Sequence, residues 1–144
     1  MGHVSAVNLP ALTRPLPPPP RELRFTIAGE VVPAQMGAIL PNGRVARKGT
    51  ERVRAYKQHV GLLAMLAVNT FRWQSTREES FAVTYRLFVG NARTIDADNC
   101  AKALGDAIKG VVFPDDRQIV ELHVYKSIDR EKSRVEVTIE RLDE

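Results

Sequence analysis

The sequence predicts an α+β domain in which two main helices pack on one mixed β-sheet. Three observations carry that prediction. Phe81, Val83, Tyr85, Leu87 and Val89 alternate with other residues, the period of a strand with one buried face. Val53, Tyr56, Val60, Leu63 and Ala67 recur at three- and four-residue spacing, the period of a helix. The order strand, helix, strand, helix, strand, strand matches helices gathered on one sheet better than a regular alternation. The 144 residues suffice for one compact domain, and a hydrophobic fraction of 44% gives it a core to bury.

Residues 1–22 read as a proline-rich flexible tail, with the folded domain over 23–144. Six of the nine prolines fall in this tail, four of them consecutive at Pro17 to Pro20. Proline lacks an amide donor and favours extended backbone, so this stretch cannot continue a sheet or helix. The first strand centres on Phe25 and Ile27 and ends at Gly29. Residues 30–49 form a loop or hairpin with a turn at Asn42-Gly43. A helix is expected from Thr50, its cap, to Val68; its second half, Leu62 to Val68, is apolar nearly all round, which predicts burial with a partial interface. The strand Phe81–Val89 follows a polar connection. The second helix spans about Asp98 to Lys109 and stops at Gly110, with Asp98 or Asn99 as its cap. Two more strands, Ile119–Ser127 and Arg134–Leu142, are joined by a polar turn and expected to pair as an antiparallel hairpin.

Composition narrows the function classes. No apolar run is long enough to span a membrane, and no basic start leads into an apolar stretch, so a cytoplasmic protein is expected. Cys100 is the only cysteine, which excludes an internal disulfide and any zinc site built from several cysteines. Cys100 itself reads as a small core residue. His59 and His123 lack metal-ligand spacing, and Trp73 reads as packing. No phosphate-cradling glycine loop is present. The net charge of +4 and a pI near 9.5 lean towards a polyanionic partner. Arg44, Arg47, Lys48, Arg52, Arg54 and Lys57 face a single acid, Glu51, in one short stretch. Such a run is either a solvated helix face or a phosphate-binding surface.

The chemistry concentrates between Asp96 and Asp116. In extended backbone, Asp96 and Asp98 point to the same side, and two carboxylates so close repel unless a cation lies between them. Magnesium takes oxygen ligands, commonly one or two carboxylates plus substrate phosphate. Lys102 and Asp106 follow Asp98 at four-residue steps on one helix face, opposite a core stripe of Leu104, Ala107 and Ile108. A lysine there can neutralise a phosphate in the transition state. The helix is roughly 17 Å long, and the chain from its end to Asp116 reaches about 25 Å, so a return to the site is possible. Asp115 and Asp116 point to opposite sides in extended chain, so only one of them serves. A helix cap with solvated acids is the competing reading of Asp96 and Asp98.

The run Asp96-Ala-Asp98-Asn99, then Lys102, Asp106 and Asp115-Asp116 before Ile119, resembles the RusA-like Holliday-junction resolvases, the crossover-junction endodeoxyribonucleases. The resemblance extends loosely over residues 24–142, through the Val31-Val32-Pro33 turn, the basic loop and the Tyr56-containing helix. It implies a magnesium-dependent homodimer, with manganese as substitute, that binds four-way DNA junctions and nicks two strands symmetrically. By position, Asp96, Asp98 and Asp116 would be the metal-binding carboxylates, with Asp115 as alternative to Asp116, and Lys102 the catalytic lysine. Arg44, Arg47, Lys48, Arg52 and Arg54 would hold backbone phosphates. The chain departs from the family where Ala34-Gln35-Met36 replaces the basic cluster many members carry after this proline, and in its proline-rich tail. Two rivals remain: a non-catalytic DNA-binding protein with a degenerate site, and a phosphatase with an Asp-x-Asp nucleophile. The second fits poorly, because the polar run Asn91-Ala-Arg-Thr precedes the first carboxylate instead of a buried apolar strand.

Overall fold

The computed structural model describes residues 17–34, 41–44, 47–91 and 95–143. The expectation of a flexible tail falls largely on residues 1–16 and lies outside this set. The elements run β1 (Glu22–Ala28), α1 (Arg47–Phe71), β2 (Ser80–Val89), α2 (Ala97–Ile108), β3 (Ile119–Ile128) and β4 (Arg134–Leu142). One four-stranded sheet has the order β1-β4-β2-β3. β4 is antiparallel to both β1 and β2, and β2 is parallel to β3. The mixed sheet with two main helices is the expected fold class.

The expected hairpin of the last two strands does not form. β3 and β4 flank β2 instead, and the connection between them passes around the end of β2. There the Asp129 amide donates to the Val89 carbonyl at 2.9 Å. Arg134 secures the crossing: it pairs with Asp129 at 2.9 Å and with Glu136 at 3.0 Å, and its guanidinium lies 3.8 Å from the Phe88 ring centroid. Burial explains the arrangement. Val135, Val137 and Ile139 of β4 are fully buried, as a central strand requires, whereas β3 is exposed along most of its length.

Phe81, Val83, Tyr85, Leu87 and Val89 are buried on β2 as the alternation predicts, and meet Val60, Ala64, Leu104 and Ile108 from the helices. Helix α1 begins three residues before the expected cap, taking Gly49 into its first turn, and runs on to Phe71. Its apolar second half is split. Ala64 and Ala67 are buried, while Leu62, Met65, Leu66 and Phe71 stand at least half exposed. Gly29 and Gly110, with φ of 106° and 81°, end β1 and follow α2 in the left-handed region that glycine enters without strain. Among the described residues no helix is long and apolar enough to cross a membrane.

Candidate active site

Helix α2 begins one residue earlier than expected, and its cap is Asp96 rather than Asp98 or Asn99. The Asp96 carboxylate accepts from the Asp98 amide at 3.0 Å, the hydrogen bond that satisfies a free first-turn donor. Asp98 lies inside the first helical turn, so the same-side rule for extended chain does not govern the pair. What the helix does instead is align Asp98, Lys102 and Asp106 along one exposed face while Cys100, Ala101, Leu104 and Ile108 are buried on the other.

The segment after α2 returns to that face because several anchors pin it. The Trp73 indole donates to the Val112 carbonyl at 2.8 Å, and Phe113 stacks on Phe81 with centroids 5.6 Å apart. Gln118, which is 8% exposed, donates to the carbonyls of Thr76 and Glu79 at 2.6 and 2.9 Å. Between these anchors Asp115 caps a short 3-10 turn, Asp116–Gln118, accepting from the Arg117 amide at 3.0 Å. That amide, then the neighbouring Asp116, holds the Asp115 carboxyl below its ordinary range.

A cleft of about 380 Å³ results, shared by Asp98, Lys102, Asp106 and Asp116. Tyr85 lies at its base, and Leu122 and Val124 of β3 line it from the sheet. Neither Asp96 nor Asp115 lines it; each is engaged as a cap beside it. Asp116 is half exposed, 4.0 Å from Lys109 Nζ. Asp106 Oδ2 lies 3.1 Å from Lys57 Nζ, which reaches across from α1. Lys102 makes no ion pair among the described residues. The Tyr85 hydroxyl is buried without a hydrogen-bond partner among them, and burial first, then the Asp106 charge, pushes its pKa up. Beside the cleft, Lys126 of β3 donates to the Ile95 carbonyl at 2.7 Å and so fixes the backbone entering the Asp96 cap.

Among the described residues no three His, Cys, Asp or Glu side chains stand close enough to hold a metal ion. The donor chemistry nonetheless suits a hard divalent cation. Asp98 and Asp116 bring carboxylate oxygens to one cleft, and magnesium takes one or two carboxylates with the remaining positions left to water and phosphate.

The basic residues divide. Arg44 is exposed, its amide donating to Asn42 Oδ1 at 3.0 Å in a local turn. Arg52 on α1 pairs with Glu30 at 2.6 Å, and Arg54 is exposed. Arg47 and Lys48 open α1, and their side chains lie outside the described set. Cys100 is fully buried, with its thiol pushed up to about 11 by burial and then by the Asp96 charge. His59 is exposed, and His123, also exposed, faces Glu121 at 3.4 Å. Lys57, Tyr85, Gln118 and Lys126 were not among the expected site residues. Of these only Lys57, at the end of the basic run, carried any local signal.

The family model for endodeoxyribonuclease RusA matches residues 37–140, more than two thirds of the chain. No curated protein matches it.

Proposed function

We propose, for a chain that belongs to the endodeoxyribonuclease RusA family, that it is a magnesium-dependent nuclease that resolves four-way DNA junctions by paired phosphodiester hydrolysis. The observation that carries the reading is the single cleft lined by Asp98, Lys102 and Asp116, which come from two separate segments.

In this reading Asp98 and Asp116, with Asp96 at the neighbouring cap, hold the cation. Manganese is a substitute with similar oxygen-ligand chemistry. When bound, the cation supplies Lewis acidity for the phosphate and for the attacking water. Lys102 stabilises the charge that develops on the phosphate oxygens. The start of α2 adds partial positive charge and amide donors on the same side. Asp115 is left to cap its turn, which favours Asp116 as the ligand of that pair. Arg44, Arg47, Lys48, Arg52 and Arg54 hold flanking phosphates in a largely sequence-independent way. A homodimer sets two such clefts against a two-fold junction. Exposed Leu62, Met65 and Leu66 on α1 and Val120 and Ile128 on β3 supply apolar surface for it.

Nicking and binding of a synthetic junction by Asp96→Asn and Asp98→Asn proteins tests the mechanism. Loss of nicking with retained binding is expected. Full activity in both variants would overturn it. A protein that binds junctions but never nicks them would support the degenerate-site alternative.

A further inference from the structure

The Lys57–Asp106 ion pair meets the cleft at Asp106, one of its lining residues, and its consequence falls on Lys102. On α2, Lys102 has Asp98 one turn before it and Asp106 one turn after it, and side chains four apart on a helix are neighbours. Its ammonium therefore has a carboxylate on each side. Of the two, only Asp98 belongs to the carboxylates proposed to hold the cation. Asp106, however, is already met by Lys57 Nζ at 3.1 Å, with both side chains partly shielded at 34% and 46% exposure.

We propose that Lys57 is a positioning residue: by holding Asp106 it keeps that carboxylate from capturing Lys102 and leaves the Lys102 ammonium to the Asp98–Asp116 end of the cleft. The same pair withdraws a third carboxylate from the acidic set, so the cleft does not accumulate uncompensated charge where a phosphate must enter. The pair joins α1 to α2 across 49 positions of sequence, so it also ties the basic helix to the acidic one.

This inference rests on the nuclease reading for its functional part, but its geometric part is measurable without DNA or metal. Full-length, metal-free protein is treated with a limiting acetylating reagent, and modification of Lys102 is followed by mass spectrometry. Lys57→Met should slow Lys102 acetylation about twofold, the size of one helical ion pair. Lys57→Arg and the double variant Lys57→Met/Asp106→Asn should restore the wild-type rate. Junction nicking should follow, with kcat reduced in Lys57→Met and KM unchanged. Thermal melts of each variant separate these effects from lost folding. An unchanged Lys102 rate in folded Lys57→Met protein would overturn the proposal, as would a double variant that stays slow. Should Lys57→Met fail to fold, Asp106→Asn alone decides: slower Lys102 acetylation there contradicts the proposal, and equal or faster acetylation supports it. Wild-type protein that shows the expected acetylation pattern yet never nicks overturns the nuclease reading and leaves the pairing standing.

Discussion

Asparagine caps helices as well as aspartate does, so Asp96→Asn keeps the hydrogen bond to the Asp98 amide and removes only charge. Its stability should stay within about 0.5 kcal/mol of wild type by chemical denaturation, while nicking is lost. Equal loss of both would mean that Asp96 serves the helix alone. Asp115 and Asp116 separate the same way. Asp116→Ala should abolish nicking with little change in melting temperature, because that side chain is half exposed and makes no cap. Asp115→Ala should lower the melting temperature and spare nicking, because its carboxylate holds the 3-10 turn. Much of this site was legible in the sequence. The four-residue steps from Asp98 to Lys102 and Asp106 need only a helix to become a face. The roles of Lys57, Tyr85, Gln118 and Lys126 were not legible, because each depends on contacts between elements far apart in the chain. The extended backbone expected through Asp96 and Asp98 does not hold for a local reason: the helix begins between them.

Strand and helix positions followed from periodicity, and the order of strands in the sheet did not. A connection of five residues between β3 and β4 is short enough for a hairpin, and nothing local shows that it rounds the end of β2 instead. A hint lies in composition. β3 carries Glu121, His123 and Lys126, charges suited to an edge, while β4 buries Val135, Val137 and Ile139. The sheet also depends on Arg141 of β4. It is 12% exposed at its side chain, pairs with Glu79 and lies 4.5 Å from the Trp73 centroid. Arg141→Met leaves Glu79 without its cation and should cost about 1–3 kcal/mol in urea denaturation. A loss below experimental error would show that the pair contributes nothing. The same substitution should weaken nicking only through stability, since Glu79 also accepts from Thr76 and its carbonyl anchors Gln118 under the Asp116 turn.

For the molecule as a whole, acid stability follows from three carboxyls. Burial raises the Glu79 pKa, but the Arg141 guanidinium and the Thr76 amide outweigh it and hold it low. The Arg117 amide lowers Asp115, and Arg134 lowers Asp129. A carboxyl depressed in the fold contributes stability that is fully present above its unfolded value and lost as pH falls through its folded value. Those unfolded values are 4.5 for glutamate and 3.8 for aspartate, so stability should begin to fall near pH 4.5 and decline further below 3.8. Melts across that range check it, and stability that rises on acidification would contradict the assignment. Sedimentation should give about twice the chain mass of 16.1 kDa if the exposed apolar residues of α1 or β3 close a dimer. The most direct measurement of the central claim uses a labelled synthetic four-way junction and a matched duplex, each with and without magnesium. The account predicts paired, symmetrically placed nicks in the junction only when magnesium is present, and little cleavage of the duplex. Wild-type protein that binds the junction and leaves it intact with magnesium would contradict it.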